Sequence, residues 1–293
     1  AMYVAKTQHL GAFIYDPEVD GNSAGKLALV WDLRRALERN ELVLWYQPQV
    51  NVDTGELVGA EALVRWQHPE LGMIFPDDFI PLAERTGLIS ALTRYVVDAA
   101  LAQARIWLDA GRPLPIAVNL SARNLHEERF ADQVSEMLAK HGVPPHLLEL
   151  EVTESAIIID PERALAMLQK LSALGMRISL DDFGAGYTSL SQLTSMPISE
   201  IKIDRSFVMK MAEDPNSALI VSSVVELGHN MGMTLVAEGV EDEEALATLA
   251  GLRCDIAQGY HLSRPIPAAD FDAWSAGRPI QALRPVEAGA RRA

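Results

Sequence analysis

From Leu42 onward the chain alternates short β-rich runs with longer amphipathic segments, and this alternation is the tightest constraint on its fold. About eight runs can be counted: Leu42 to Val50, Leu57 to Trp66, Pro115 to Ser121, Leu147 to Glu154, Met176 to Phe183, Glu200 to Ser206, Thr234 to Val240 and Asp255 to Tyr260. Most are followed by a helical stretch. Asp160-Pro161 supplies an N-cap and first turn, and Gly175 closes that helix after Leu165, Leu168 and Leu171 have formed an apolar stripe. Asp214-Pro215 opens another, with Leu219, Ile220, Ser223 and Leu227 at spacings near three and four before Gly228. Eight strands with intervening helices point to an α/β fold and suggest a parallel barrel. An open doubly wound sheet gives the same alternation, and the pattern alone leaves both open.

The ends have a different character. Asp16-Pro17 through Asn22, Ser23, Ala24 and Gly25 reads as a linker, followed by a short helix whose Leu29, Leu33, Ala36 and Leu37 share one face and could dock on the barrel. Gly277 to Ala293 is rich in Pro, Ala, Gly and Arg and reads as a frayed tail. The expected division is therefore residues 1–26, 27–276 and 277–293. No stretch approaches the roughly 18 consecutive apolar residues of a membrane span, and no signal peptide is evident, so a cytoplasmic location is expected, any membrane attachment lying in N-terminal regions beyond this chain. The single cysteine, Cys254, excludes an internal disulfide and a Cys-rich zinc module. With 25 Lys plus Arg against 40 Asp plus Glu, the net charge of −15 disfavours binding to long nucleic acids.

Barrel enzymes place their chemistry at the C-terminal ends of the strands, and here polar residues recur at those ends. Glu61 lies in the second run, Asn119 ends the third, Glu151 lies in the fourth, Asp181 and Asp182 end the fifth, Lys202 sits in the sixth, Glu238 ends the seventh and Gln258 lies in the eighth. Any one of these alone is an ordinary cap or solvated strand end. Together they are harder to dismiss. Like charges about 4 Å apart repel by on the order of 4 kcal/mol at an effective dielectric near 20, so five carboxylates around one mouth demand cations. All-oxygen ligation favours Mg²⁺ or Mn²⁺ over zinc, and the seven scattered histidines offer no rival site. Adjacent side chains at a strand end diverge, so Asp181 and Asp182 could reach two metals, a geometry suited to phosphoryl displacement. Lys202 could orient a water in such a site; its plainer reading is an ion pair with Asp204, two residues on and on the same face. Gly184 and Gly186 suggest a phosphate-binding nest, a mobile lid or merely a tight turn, whereas Ser189 breaks the dinucleotide fingerprint.

These residues also stand in an order that strongly resembles the EAL-domain family of cyclic di-GMP phosphodiesterases, over about Leu27 to Ala276. Glu61-Ala62-Leu63 spells the family's name, accompanied by Tyr46-Gln47-Pro48, Asn119-Leu120-Ser121, Glu151-Val152-Thr153-Glu154, Asp181-Asp182-Phe183-Gly184, Lys202-Ile203-Asp204, Ala237-Glu238-Gly239-Val240 and Gln258-Gly259-Tyr260. The resemblance implies a modified eight-stranded TIM-type (β/α)8 barrel with its first strand antiparallel, and hydrolysis of cyclic di-GMP to linear pGpG. It implies that Glu61, Asn119, Glu151 and Asp181 hold one metal and that Asp181, Asp182 and Glu238 hold a second. It implies further that Lys202 helps activate the nucleophilic water, with Glu238 as general base in a competing view, and that Glu154 braces the lid. Gln47, Leu63 and Arg65 would contact substrate, and Gln258 would support water near the metals. Two Mg²⁺ or Mn²⁺ ions are the implied cofactors, with Ca²⁺ inhibitory. A homodimer through the barrel surface near the lid and upstream GGDEF or sensory domains are the implied partners. The lid departs from the family's usual residues at Ala185 and Thr188, both conservatively. The first eleven residues look like the final helix of a GGDEF domain, yet no Gly-Gly-Asp-Glu-Phe run is present. Two other readings stand beside the enzyme: a module that binds cyclic di-GMP without cleaving it, which the complete acid set argues against, and a metal-assisted lyase or enolising barrel.

Overall fold

The computed structural model describes residues 17–184 and 190–281. Eight strands close into a barrel: β1 (Leu42–Asn51), β2 (Leu57–His68), β4 (Ile116–Leu120), β5 (Leu148–Thr153), β6 (Arg177–Phe183), β7 (Glu200–Ile203), β8 (Thr234–Ala237) and β9 (Ile256–Ala257). Neighbours from β2 round to β9 run parallel, whereas β1 is antiparallel to both β2 and β9, which settles the barrel over the open sheet. Two short antiparallel pieces, β3 (Gly72–Ile74) and β10 (Ile266–Pro267), extend β2 and β1.

Period two sorts each strand into an inner and an outer row. On β1, Tyr46 packs outward against Trp107 and Phe271, with ring centroids at 5.1 and 6.2 Å in edge-on arrangements worth about 0.5–1.5 kcal/mol each beyond area burial. Gln47 and Gln49, on the other row, are buried in the barrel. The helix starts read from sequence hold: Asp160 accepts from Arg163 N, and Asp214 from Asn216 N and Ser217 N, ahead of Pro161–Ala173 and Pro215–Asn230.

The structure departs from the sequence reading in three places. Gly228 does not end its helix, which runs on to Asn230; a Cβ at 228 would lie 2.6 Å from the Leu235 side chain, so this glycine lets helix and β8 approach. The segment read as a linker lies, from Pro17 on, within helix α1 (Pro17–Arg39). Gly21 and Gly25 each cost about 1 kcal/mol there, a local penalty that continuation of a docked helix outweighs. Its Leu33 and Ala36 are fully buried, so the expected docking occurs. Past Ala276 the chain is not free either: Leu57 N donates to Pro279 O and Gln281 N to Leu57 O, tying residues 279–281 to the start of β2. The proposed lid at 185–189, the rest of the tail and the first 16 residues lie outside the described residues. Among those described, no helix is long and apolar enough to cross a membrane.

Candidate metal centre at the barrel mouth

Lys202 organises the site. It projects from β7 into the barrel, is fully buried, and lies 2.6 Å from Glu238 Oε1, 2.8 Å from Glu151 Oε2 and 3.5 Å from both Glu61 Oε2 and Asp181 Oδ1. A buried lysine is rare unless paired, and here four carboxylates from four strands or strand ends surround it. Desolvation opposes its charge, but the charges of Asp181, Glu151, Glu238 and Glu61 outweigh burial and push its pKa well above the usual lysine value. The plainer expectation, a pair with Asp204, is not realised. β7 ends at Ile203, and Asp204 instead caps the next turn by accepting from Ser206 N.

The acids divide by environment. Burial alone would raise the Glu61 pKa, but Lys202, Gln258 and Asn119 together hold it below the ordinary value. Asn119 donates to Glu61 Oε1 at 2.7 Å and Gln258 to Oε2 at 2.6 Å. Burial and the Glu61 charge raise the Glu151 pKa well above normal, and Glu151 Oε1 is buried with no hydrogen-bond partner. Glu238, half-buried where β8 gives way to Gly239, is pushed up to about 7, chiefly by burial. Gly239 has φ +70 and would place a Cβ 2.7 Å from that of Arg205, so the turn after Glu238 requires glycine.

Asp181 and Asp182 do not diverge as strand alternation predicts. The β6–β7 register shifts between Leu180 and Phe183, and Asp182 adopts a left-handed φ of 55 with its N–H donating to Asp181 Oδ1. This bulge re-aims the side chains, and oxygens of Asp181, Asp182 and Glu238 come within 4.8 Å of one another. Burial, then Asp181 and Asp204, push the Asp182 pKa up to about 6. The raised pKa values of Glu151, Asp182 and Glu238 and the unpaired Glu151 oxygen fit residues that would hold a cation. Oxygen donors alone, with no His or Cys among them, suit a hard divalent ion.

The other expected residues surround this centre. Glu154, buried just past β5, accepts from Gly184 N at 2.9 Å and so holds the chain where the Gly-rich segment begins. Gln47 bonds Gln258 Nε2 through its Oε1 and donates to Ser263 O. Leu63 and Arg65 line a cavity of ≈ 1100 Å³ that opens above the acids and also touches Asn119 and Gln258. The Arg65 guanidinium lies 5.5 Å from the Trp45 ring and 5.6 Å from that of Phe75, with Nε unpaired. Sequence reasoning missed Gln49, which bonds Gln258, and Phe75, which lines the cavity. Gln49 alone carried a usable signal, sharing a strand face with Gln47 two residues away.

An eight-stranded α/β barrel with one antiparallel strand, its mouth ringed by oxygen donors around a buried lysine, defines a barrel domain whose residues could hold a metal. The EAL domain model matches residues 31–265, and the chain belongs to that family. It is 46% identical over 270 residues to the bifunctional diguanylate cyclase/cyclic di-GMP phosphodiesterase MucR of Pseudomonas aeruginosa, covering 92% of this chain and 39% of that protein. It is 39% identical over 246 residues to the cyclic di-GMP phosphodiesterase RocR of the same organism, covering 84% and 63%. The solved PaMucR phosphodiesterase–c-di-GMP complex superposes with a TM-score of 0.80 at 47% identity, over 83% of this chain and 99% of that one. The chain thus spans less than two thirds of the length of either curated relative.

Proposed function

We propose that this chain hydrolyses one phosphodiester bond of cyclic di-GMP to give linear pGpG. The observation that carries the reading is the surplus of five carboxylates over one lysine at the floor of a cavity large enough for a dinucleotide, in a member of the EAL family. Glu61, Asn119, Glu151 and Asp181 would hold one Mg²⁺ or Mn²⁺ ion, and Asp181, Asp182 and Glu238 a second. Two such ions supply charge neutralisation at phosphate and a bound water of lowered pKa.

The protein's own groups do the positioning. Lys202, kept protonated by its four acidic neighbours, offers N–H donors to the attacking water and holds the acids against mutual repulsion. Glu238, with a pKa near neutrality in the metal-free protein, is the competing candidate for a proton acceptor. Arg65, which lines the cavity, would carry its charge to a phosphate, and Leu63 and Gln47 complete the substrate contacts. Gln258 steadies Glu61 and water beside it. Glu154 braces the Gly-rich segment. We assign residues 27–276 to the EAL domain, residues 1–26 to the end of an upstream GGDEF domain and its connection, and residues 277–293 to a C-terminal extension. The same reading includes a cytoplasmic location, inhibition by Ca²⁺, and pairing of two copies near the segment that follows Asp182.

The test is incubation of the purified chain with cyclic di-GMP in Mg²⁺, Mn²⁺, Ca²⁺ or chelator, with nucleotide separation and calorimetric binding on the same samples. Linear pGpG formed with Mg²⁺ or Mn²⁺ and abolished by chelator is the expected result. Tight binding without cleavage would replace the enzyme by a receptor, and neither would return attention to the lyase alternative.

A further inference from the structure

Three glutamines form a directional chain beneath the mouth. An ionised carboxylate only accepts, so the Gln258 amide must turn its NH₂ toward Glu61 Oε2, 2.6 Å away. That orientation leaves Gln258 Oε1 pointing the other way, where Gln49 Nε2 donates to it at 3.0 Å. The Gln258 NH₂ also reaches Gln47 Oε1 at 3.1 Å, and Gln47 in turn donates to the Ser263 carbonyl at 3.2 Å. All three amides are buried, with Gln258 at 3%, Gln49 at 5% and Gln47 at 8% exposure, so water cannot readily replace these partners. Neither Gln49 nor Gly59 lines the cavity.

Gln49 has its place because of Gly59. The two are partners across the β1–β2 pair, and a Cβ at 59 would fall 2.7 Å from Gln49 Oε1. Gly59 therefore provides the space in which the Gln49 amide lies.

We infer that Gln49 is a positioning residue: by donating to Gln258 Oε1 it anchors the far end of an amide whose near end holds Glu61, and so fixes the Glu61 carboxylate for a divalent cation. Without Gln49, Gln258 Oε1 is left buried with no donor, so the side chain shifts to find one and its hold on Glu61 Oε2 loosens. The inference rests on the metal-binding reading proposed above and adds to it a residue two bonds' distance in the network from the ligand. Groups that orient a metal ligand typically change metal affinity or activity by about 10–100-fold when removed, and roughly 10-fold is expected one step further out.

The experiment is a double-mutant cycle read by Mn²⁺ calorimetry, thermal melting and turnover of the intact chain. Gln49→Met should weaken Mn²⁺ binding roughly 10-fold and lower kcat in proportion, with KM for cyclic di-GMP within about twofold. In a Gln258→Met background the same change should have no further effect on Mn²⁺ affinity. Gly59→Ala is a second route, since it displaces the Gln49 amide while leaving all three glutamines in the chain. It should reproduce the loss and add nothing to Gln49→Met. Unaltered Mn²⁺ affinity in Gln49→Met, or an undiminished loss in the Gln258→Met background, overturns the positioning role while leaving the metal centre standing. A wild-type chain that binds no Mn²⁺ overturns the metal-binding reading and this inference together.

Discussion

The barrel buries two clusters of charge, one above the other on the same strands, and they solve opposite problems. Glu149, Arg177 and Glu200 sit two residues nearer the strand N-termini than Glu151, Ser179 and Lys202. In this lower layer Arg177 lies 3.3 Å from Glu149 and 3.0 Å from Glu200, and none of the three lines the cavity. Burial and the Glu149 charge drive the Glu200 pKa well above normal, so this cluster balances its charge within itself rather than through an outside cation. The upper layer has five acids against one lysine and opens on ≈ 1100 Å³ of space. A closed cluster must neutralise itself, whereas one that faces solvent can leave a deficit for an incoming cation. Charge surplus joined to access, rather than buried charge itself, therefore distinguishes the candidate metal centre from structural ion pairing.

Glu61→Ala probes the upper layer where the effect is largest. Loss of a proposed metal ligand should cost several kcal/mol of transition-state stabilisation, on the order of 10³-fold in turnover, while the circular dichroism and melting of the barrel persist. Wild-type activity in that folded variant would remove Glu61 from the site. In the lower layer, Arg177→Met should show the reverse pattern. It leaves two buried carboxylates without their cation and should destabilise the fold by about 3–5 kcal/mol in urea titration, with Mn²⁺ affinity of the folded fraction retained. Lost metal affinity at unchanged stability would abolish the distinction between the layers.

The smallest effect sharpens the comparison through pH. In the metal-free protein Glu238 titrates near 7 and Asp182 near 6, both above their ordinary values. Between the ordinary and folded pKa the native state holds more protons than the unfolded chain. The stability from these two groups is therefore fully present at low pH and is lost as pH rises through about 6 to 7. A divalent cation takes the place of those protons. The gap in melting temperature between Mn²⁺-loaded and chelated protein should thus widen by a few degrees from about pH 5.5 to about pH 7.5. An equal gap at both would contradict the raised carboxyl values.

Much of this architecture was legible in advance. Periodicity located the eight barrel strands, and Asp-Pro caps located two helix starts to the residue. What escaped notice depends on contacts distant in sequence. β3 and β10, at three and two residues, exist only through their antiparallel pairing with β2 and β1. Gly228 resembles a helix stop until Leu235 is packed against it. Asp181 and Asp182 look divergent until the bulge before Phe183 turns them together. Gln49 gains meaning only when Gln258, 209 residues away, presents its carbonyl.

The order of residues along the chain was enough to set which side chains exist to do chemistry: a run of acids, one lysine and several amides, each following an apolar strand, with too little positive charge to balance them. It could not decide which of those acids would be solvated, paired or protonated. That depended on barrel closure, which brings Lys202 within 3.5 Å of Glu61 across 141 residues and removes both from water. Desolvation strengthens every electrostatic interaction it encloses, and only a completed tertiary structure determines what is enclosed.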